Sequence, residues 1–107
     1  MNAGRMSEFC TLDDSGNLQD GNVNAYYLDD LKLRVSVARA GARLFAFDDI
    51  YEGCPLSVGL LRGTTLMSQC DGSQFDVTSG TVLRGPAKSS LRTYEVREQN
   101  GKIQMRV

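Results

Sequence analysis

The chain contains no histidine. That removes the side chain most used as a general acid or base near neutral pH, and with it any serine–histidine triad. It also removes imidazole from the possible metal ligands. No phosphate-binding Gly-rich loop of the P-loop type and no dinucleotide fingerprint occurs. There are only three cysteines, Cys10, Cys54 and Cys70. Charge of either sign is hardly in excess, with 12 basic and 13 acidic side chains and a net charge of −1. That argues against nucleic acid as the main partner. No apolar run approaches the roughly 18 residues of a membrane span. The N-terminal stretch MNAGRMSEF has no apolar core of the signal-peptide kind, so a cytoplasmic location is the default expectation. No window of about a dozen residues carries a helical period. Repeats and low-complexity segments are absent too.

What is present is a pattern of short strands. At 107 residues, 41% of them hydrophobic, the chain fits one small domain spanning 1–107. Leu31–Ala38 gives the clearest signal. Leu31, Leu33, Val35 and Val37 alternate with Lys32, Arg34 and Ser36, which predicts a half-buried strand with the polar set facing out. Ser7–Leu12, with Cys10 as a small core residue, Asn22–Leu28, Arg43–Phe47, Thr64–Met67, Gln74–Val77 and Thr81–Leu83 read as further strands. The polar stretch Asp13–Gly21 and Arg84–Ser90 read as loops. At the C-terminal end, Thr93–Arg97 and Lys102–Val107 flank Asn100-Gly101, the dipeptide of a type I′ hairpin turn. Ile103, Met105 and Val107 fall on one face of the last strand. Such short strands between Gly-rich turns predict an all-β sandwich or barrel.

Charge is unevenly spread: residues 1–53 hold nine acids and five bases, and residues 54–107 hold four acids and seven bases. A docking surface and ordinary solvated faces both accommodate this. The acidic pairs Asp13-Asp14, Asp29-Asp30 and Asp48-Asp49 are sequence neighbours, which in a strand point to opposite faces, so they read as turn and strand-end residues.

The most distinctive stretch runs from Asp49 to Asp76. Two Gly-rich boxes frame it, Asp49-Ile-Tyr-Glu-Gly-Cys-Pro-Leu-Ser57 and Ser68-Gln-Cys-Asp-Gly-Ser-Gln-Phe-Asp76. Tyr51 and Ser68 are separated by 16 residues, 52 to 67. This frame resembles the cluster-binding segment of the Rieske iron–sulfur proteins, whose boxes read C-x-H-x-G-C-P-L and C-x-C-H-G-S-x-F/Y-D. Gly53, Cys54, Pro55, Leu56, Gly72, Ser73, Phe75 and Asp76 match position by position, and so do Gly80 and Gly85-Pro86-Ala87 further on. The resemblance covers nearly the whole chain. It implies an all-β, three-sheet Rieske fold with residues 49–76 as a small subdomain.

The four ligand positions of that family do not match. A Rieske cluster takes two cysteines and two histidines. Here Asp49 and Ser68 stand at the cysteine positions, and Tyr51 and Asp71 at the histidine positions. An all-cysteine cluster would lack its fourth ligand. The expectation is a Rieske-type scaffold without its 2Fe–2S cofactor and without a metal. Four oxygen side chains could in principle hold a hard cation. Otherwise they are polar loop residues that hydrate well or cap turns.

Cys54 and Cys70 match two further cysteines that some Rieske proteins join in a disulfide between the boxes. The resemblance implies such a bond here, closing a loop worth on the order of 3 kcal/mol. Two reduced, buried thiols are the alternative in a reducing compartment. Gly53, Pro55, Gly72, Ser73, Phe75 and Pro86 shape the family's pocket. Without a cluster, Ser73 reads as a turn former and Phe75 as a core residue. Gly85-Pro86-Ala87 corresponds to a third loop that covers the subdomain, and Ser89-Ser90 follow where the family often has a second proline.

No catalytic constellation is visible, so the chain is expected not to be an enzyme. The resemblance implies a non-redox accessory or interaction subunit of an oxidoreductase system. Its precedents are the small subunit of NADH-dependent nitrite reductase and the ferredoxins that feed aromatic-ring dioxygenases. The implied protein partner is a reductase, an oxygenase or a nitrite reductase large subunit, with neither nucleic acid nor membrane involved. The alternatives are a mononuclear metal or small-ligand binder that reuses the pocket, and a variant of an electron-carrying ferredoxin.

Overall fold

A computed structural model describes residues 8–107 of the chain. Residues 1–7, which include Ser7 and most of the N-terminal stretch read for a signal, lie outside the described residues. The elements follow in chain order as β1 (Cys10–Asp14), β2 (Val23–Leu28), β3 (Leu33–Ala40) and β4 (Arg43–Asp48). Next come β5 (Ile50–Tyr51), β6 (Cys54–Pro55), β7 (Leu60–Arg62), β8 (Thr65–Met67), β9 (Gln74–Asp76) and β10 (Val82–Arg84). The chain closes with β11 (Thr93–Gln99) and β12 (Lys102–Arg106). Three antiparallel sheets result: β1-β12-β11-β4-β3-β2, β10-β9-β8-β7 and the small pair β5-β6. Among the described residues, the only helical segments are single 3-10 turns.

The six-stranded sheet curls until its edges meet. The Tyr26 hydroxyl on β2 donates to Asp13 Oδ2 on β1 at 2.8 Å. Leu18, Val35, Val37, Ala46, Ile103 and Met105 fill the interior of this near-barrel. A second core lies on its outer face, where Ala38 and Phe47 meet Leu56, Leu61, Leu66, Phe75, Val77, Ala87 and Leu91 of the subdomain and its covering loop. β3 and β4 therefore serve both cores. Alternate residues point to opposite faces, so Val35 and Val37 enter the barrel while Ala38 packs beneath the subdomain.

This double burial corrects the reading of Leu31–Ala38. Ser36 does not face water with Lys32 and Arg34; it is fully buried, because the subdomain covers the outer face of β3. Leu31 is not part of the strand. It ends a 3-10 turn at Asp29–Leu31, is 51% exposed, and is followed by Lys32 in the left-handed conformation at φ 51°. Cys10, expected in the core, is exposed on the edge strand β1. The expected loop Asp13–Gly21 contains the end of β1 and a 3-10 turn, and it sends Leu18 into the barrel. β7 was not anticipated: Leu60 and Arg62 flank a single inward Leu61, too short a run to show a period. The last hairpin matches its pattern, with Asn100 and Gly101 at φ 55° and 75° and with Ile103 and Met105 buried. Val107 beyond it is 38% exposed.

Gly59 holds the subdomain sheet tight for a steric reason. Its φ is ordinary at −76°, but a Cβ there would stand 2.4 Å from the Met67 carbonyl oxygen. Gly59→Ala is therefore expected to force β7 away from β8 and to lower stability by about 1–3 kcal/mol, as overpacking does. Urea denaturation followed by intrinsic tyrosine fluorescence measures it.

Candidate functional site

Box one leaves β4 at Asp49 and turns through β5 and β6. Glu52 and Gly53 make the turn with φ 50° and 80°, which favours the glycine. Ile50 pairs with Pro55, and Tyr51 with Cys54. Box two follows β8 and turns at Gly72, φ 78°, before β9. Cys54 and Cys70 are joined by a disulfide, with Cα atoms 6.2 Å apart. The two loops are thus covalently tied. Cys54 is buried and Cys70 is exposed.

Asp49 is the structural centre of box one. Its carboxylate is fully buried and accepts from Ser36 Oγ at 2.6 Å, from Arg34 Nε at 2.5 Å and from the Ser57 backbone N–H at 2.8 Å. Its own backbone N–H donates to the Arg34 carbonyl at 3.0 Å, and its carbonyl accepts from Leu56 N–H at 2.7 Å. This is not the behaviour of a loop position that has drifted to a hydrated polar residue. Burial pushes the carboxyl's pKa up, but the donors Ser36, Arg34 and Ser57 outweigh it and hold it below the ordinary 3.8. The sequence carried no sign of Arg34, Ser36 and Ser57 as partners, because the first two read as an outward strand face.

The other three oxygen side chains are also engaged. Ser68 is buried; its Oγ accepts from Cys70 N–H at 3.1 Å and lies 3.4 Å from Cys54 Sγ. Asp71 is exposed and caps the box-two turn, accepting from Ser73 N–H at 2.9 Å. That bond, chiefly, holds its carboxyl below the usual value. Tyr51 is half-buried, packs edge-on to Phe75 with ring centroids 5.1 Å apart, and donates its hydroxyl to the Ser89 carbonyl at 2.9 Å. Ser89 N–H donates back to the Tyr51 hydroxyl at 3.2 Å.

Of the residues expected to shape a pocket, Gly53 and Pro55 lie in box one, Gly72, Ser73 and Phe75 in box two, and Pro86 in the loop at 85–91. Ser73, expected as a turn former, is buried; its N–H closes the Asp71 turn and its Oγ accepts from Ala87 N–H at 3.0 Å. Gly85, at φ 103°, lies so close that a Cβ would stand 2.7 Å from Ser73 Cα. Pro86 is exposed and sets the loop that carries Ala87 into the core. Phe75 is fully buried in that core. The position of Ser89 is therefore fixed by Tyr51 in spite of the missing second proline. Among the described residues no three His, Cys, Asp or Glu side chains stand close enough together to hold a metal ion.

No protein-family model matches the sequence. No curated protein matches it. Solved structures do. A chain from the complex of reduced oxygenase and oxidised ferredoxin in carbazole 1,9a-dioxygenase aligns with TM-score 0.84 at 22% identity, over 92% of this chain and 92% of that one. The Sphingomonas yanoikuyae B1 ferredoxin aligns with TM-score 0.85 at 20% identity, over 94% of this chain and 99% of that one. A structural-genomics protein described as a nitrite reductase NADPH small subunit aligns with TM-score 0.77 at 16% identity, over 94% and 99%. The architecture is that of the Rieske-type ferredoxins. The chain shares this fold with dioxygenase ferredoxins and with a protein described as a nitrite reductase small subunit alike.

Asp49→Asn keeps the shape of the side chain and removes its charge. It is expected to cost about 2 kcal/mol near neutrality, the range for hydrogen bonds to a charged group. Because the folded carboxyl titrates below 3.8, its contribution is complete above that value and lost as pH falls through the lower folded pKa. The stability gap between wild type and Asp49→Asn, read from urea melts, should therefore close as the pH drops below 3.8.

Proposed function

We propose that this chain is a Rieske-fold accessory subunit of an oxidoreductase system, docking to a protein partner without carrying an electron on a 2Fe–2S cluster. One observation carries the reading. At the four positions where the Rieske resemblance implies cluster ligands, the chain has two carboxylates, a phenol and a hydroxyl, and each is engaged in a local hydrogen bond. A Rieske cluster needs thiolates on one iron and imidazoles on the other. This donor set does not fit the group, and the Cys54 and Cys70 sulfurs are bound to each other.

The partner follows from the surface and from the relatives. Ile50, Val58, Leu60 and Leu83, all between 42% and 57% exposed, lie in the segment that builds the two small sheets. Exposed apolar side chains that form a contiguous patch mark interaction sites. Chains of the same fold occur in complexes between an oxygenase and its ferredoxin. An oxygenase, a reductase or a nitrite reductase large subunit is the class of partner this supports. No helix among the described residues is long and apolar enough to cross a membrane. A non-enzymatic role accords with relatives that are ferredoxins.

Protein purified after anaerobic reconstitution with iron and sulfide is expected to be colourless and to retain no stoichiometric metal. About two irons and two sulfides per chain, with visible absorption of the Rieske type, would overturn the reading. Uptake of a single iron without sulfide would favour the mononuclear-metal alternative.

A further inference from the structure

We propose that Cys54–Cys70 is a thiol–disulfide exchange site for a dithiol reductant, entered at Cys70 and released at Cys54. The two sulfurs are differently placed. Cys70 belongs to the exposed turn of box two, while Cys54 is 6% exposed beneath the boxes. An incoming thiolate therefore meets Cys70 first. Ser68 sets the direction in which the bond then splits. Its Oγ already accepts the Cys70 N–H at 3.1 Å, and it lies 3.4 Å from Cys54 Sγ. A disulfide sulfur has no hydrogen to give, so in that contact only the Ser68 hydroxyl, which the Asp71 carboxylate also engages, can donate. As the bond breaks, this hydroxyl meets the charge that develops on Cys54. Cys54 leaves inside a buried site, so its departure depends on the Ser68 hydroxyl. A leaving thiol that carries charge more easily leaves faster.

The step balances. The attacking thiolate forms a bond to Cys70 Sγ as the Cys54–Cys70 bond breaks, and the electron pair goes to Cys54, which takes up a proton. The second thiol of the reductant then attacks the mixed disulfide and releases Cys70 as a thiol. The reductant leaves as its disulfide, having supplied two electrons and two protons.

The fold is built to outlast this reduction. Box one keeps its anchor to β3 through Asp49, and box two keeps its anchor to the covering loop through Ser73 and Ala87. The disulfide is the covalent link between two loops that are each held separately. Its opening changes how tightly they are held to one another without dismantling either core.

The test needs no partner, so its failure is distinguishable from failure of the docking reading. The probe is reduced dithiothreitol in native buffer, with glutathione as a monothiol trap. Cys10→Ser serves as background, because Cys10 is an exposed free thiol. Expected are native-state reduction with unchanged far-UV circular dichroism, and a glutathione adduct mapped by peptide mass to Cys70. Ser68→Ala should slow reduction about fivefold, the loss of one modest hydrogen bond to the leaving sulfur. Reduction only in denaturant, an adduct on Cys54, or an unchanged Ser68→Ala rate would each overturn the proposal. Should Ser68→Ala not fold, the adduct position in the background protein decides alone.

Discussion

A buried carboxylate survives only where enough donors reach it to replace water. Asp49 meets that condition with donors from two directions: Arg34 and Ser36 on β3, and the Ser57 N–H at the end of the first box. The geometry of the whole subdomain follows. Asp49 sits where the barrel strand β4 ends, so its three bonds fix the angle at which the chain leaves the barrel. With that angle set, Leu56 falls onto Ala38 and Phe47 and joins the second core. Arg34 remains about half exposed, so its charge contributes less than the short distance suggests. The fully buried Ser36 hydroxyl has no such access to water, and it depends on the carboxylate as much as the carboxylate depends on it.

The second constraint is that β3 and β4 face two cores at once. It explains both what was legible in the sequence and what was not. Period-two alternation identified the strands, because Val35 and Val37 do line the barrel. It assigned the opposite face to solvent, since Arg34 and Ser36 are polar. Alternation reports which residues share a face and says nothing about what covers the polar one. Only the subdomain, many residues later in the chain, makes Ser36 a buried partner. The glycine frame of the boxes carried more than periodicity could. Gly53, Gly72 and Gly85 all have positive φ, and Gly85 admits no Cβ against Ser73. Such positions specify a loop path that alternating patterns cannot describe. β7 and Leu18 were illegible for the opposite reason: each contributes one inward side chain, and a single residue has no period.

The two boxes and the covering loop form a mutually supporting set. Tyr51 from box one bonds Ser89 of the loop, Ser73 from box two bonds Ala87 of the same loop, and the disulfide joins the boxes directly. The contacts close a ring, so the loss of one leaves a path through the other two. This redundancy lets the tip expose apolar side chains such as Ile50 and Val58 while its backbone stays fixed. On the proposed reading this serves docking, because little ordering cost remains to be met on binding.

On the proposed reading, the four oxygen side chains cannot be exchanged one by one for cluster ligands. Tyr51 and Asp71 make contacts that an imidazole could leave without burying a charge, since one bonds an exposed loop and the other caps an exposed turn. Ser68 is close to a thiol in size. Asp49 is different. A cysteine there would withdraw the acceptor from Ser36 and from the Ser57 N–H, and would leave Arg34 without its counter-ion. Removing one member of a buried polar set costs more than the set contributes when complete. A ligand set could therefore be rebuilt only together with β3, with Arg34 and Ser36 changed in the same step. Anchoring the tip through a carboxylate and binding a cluster through a thiolate are alternative uses of position 49. The donors around Asp49 commit this chain to the first.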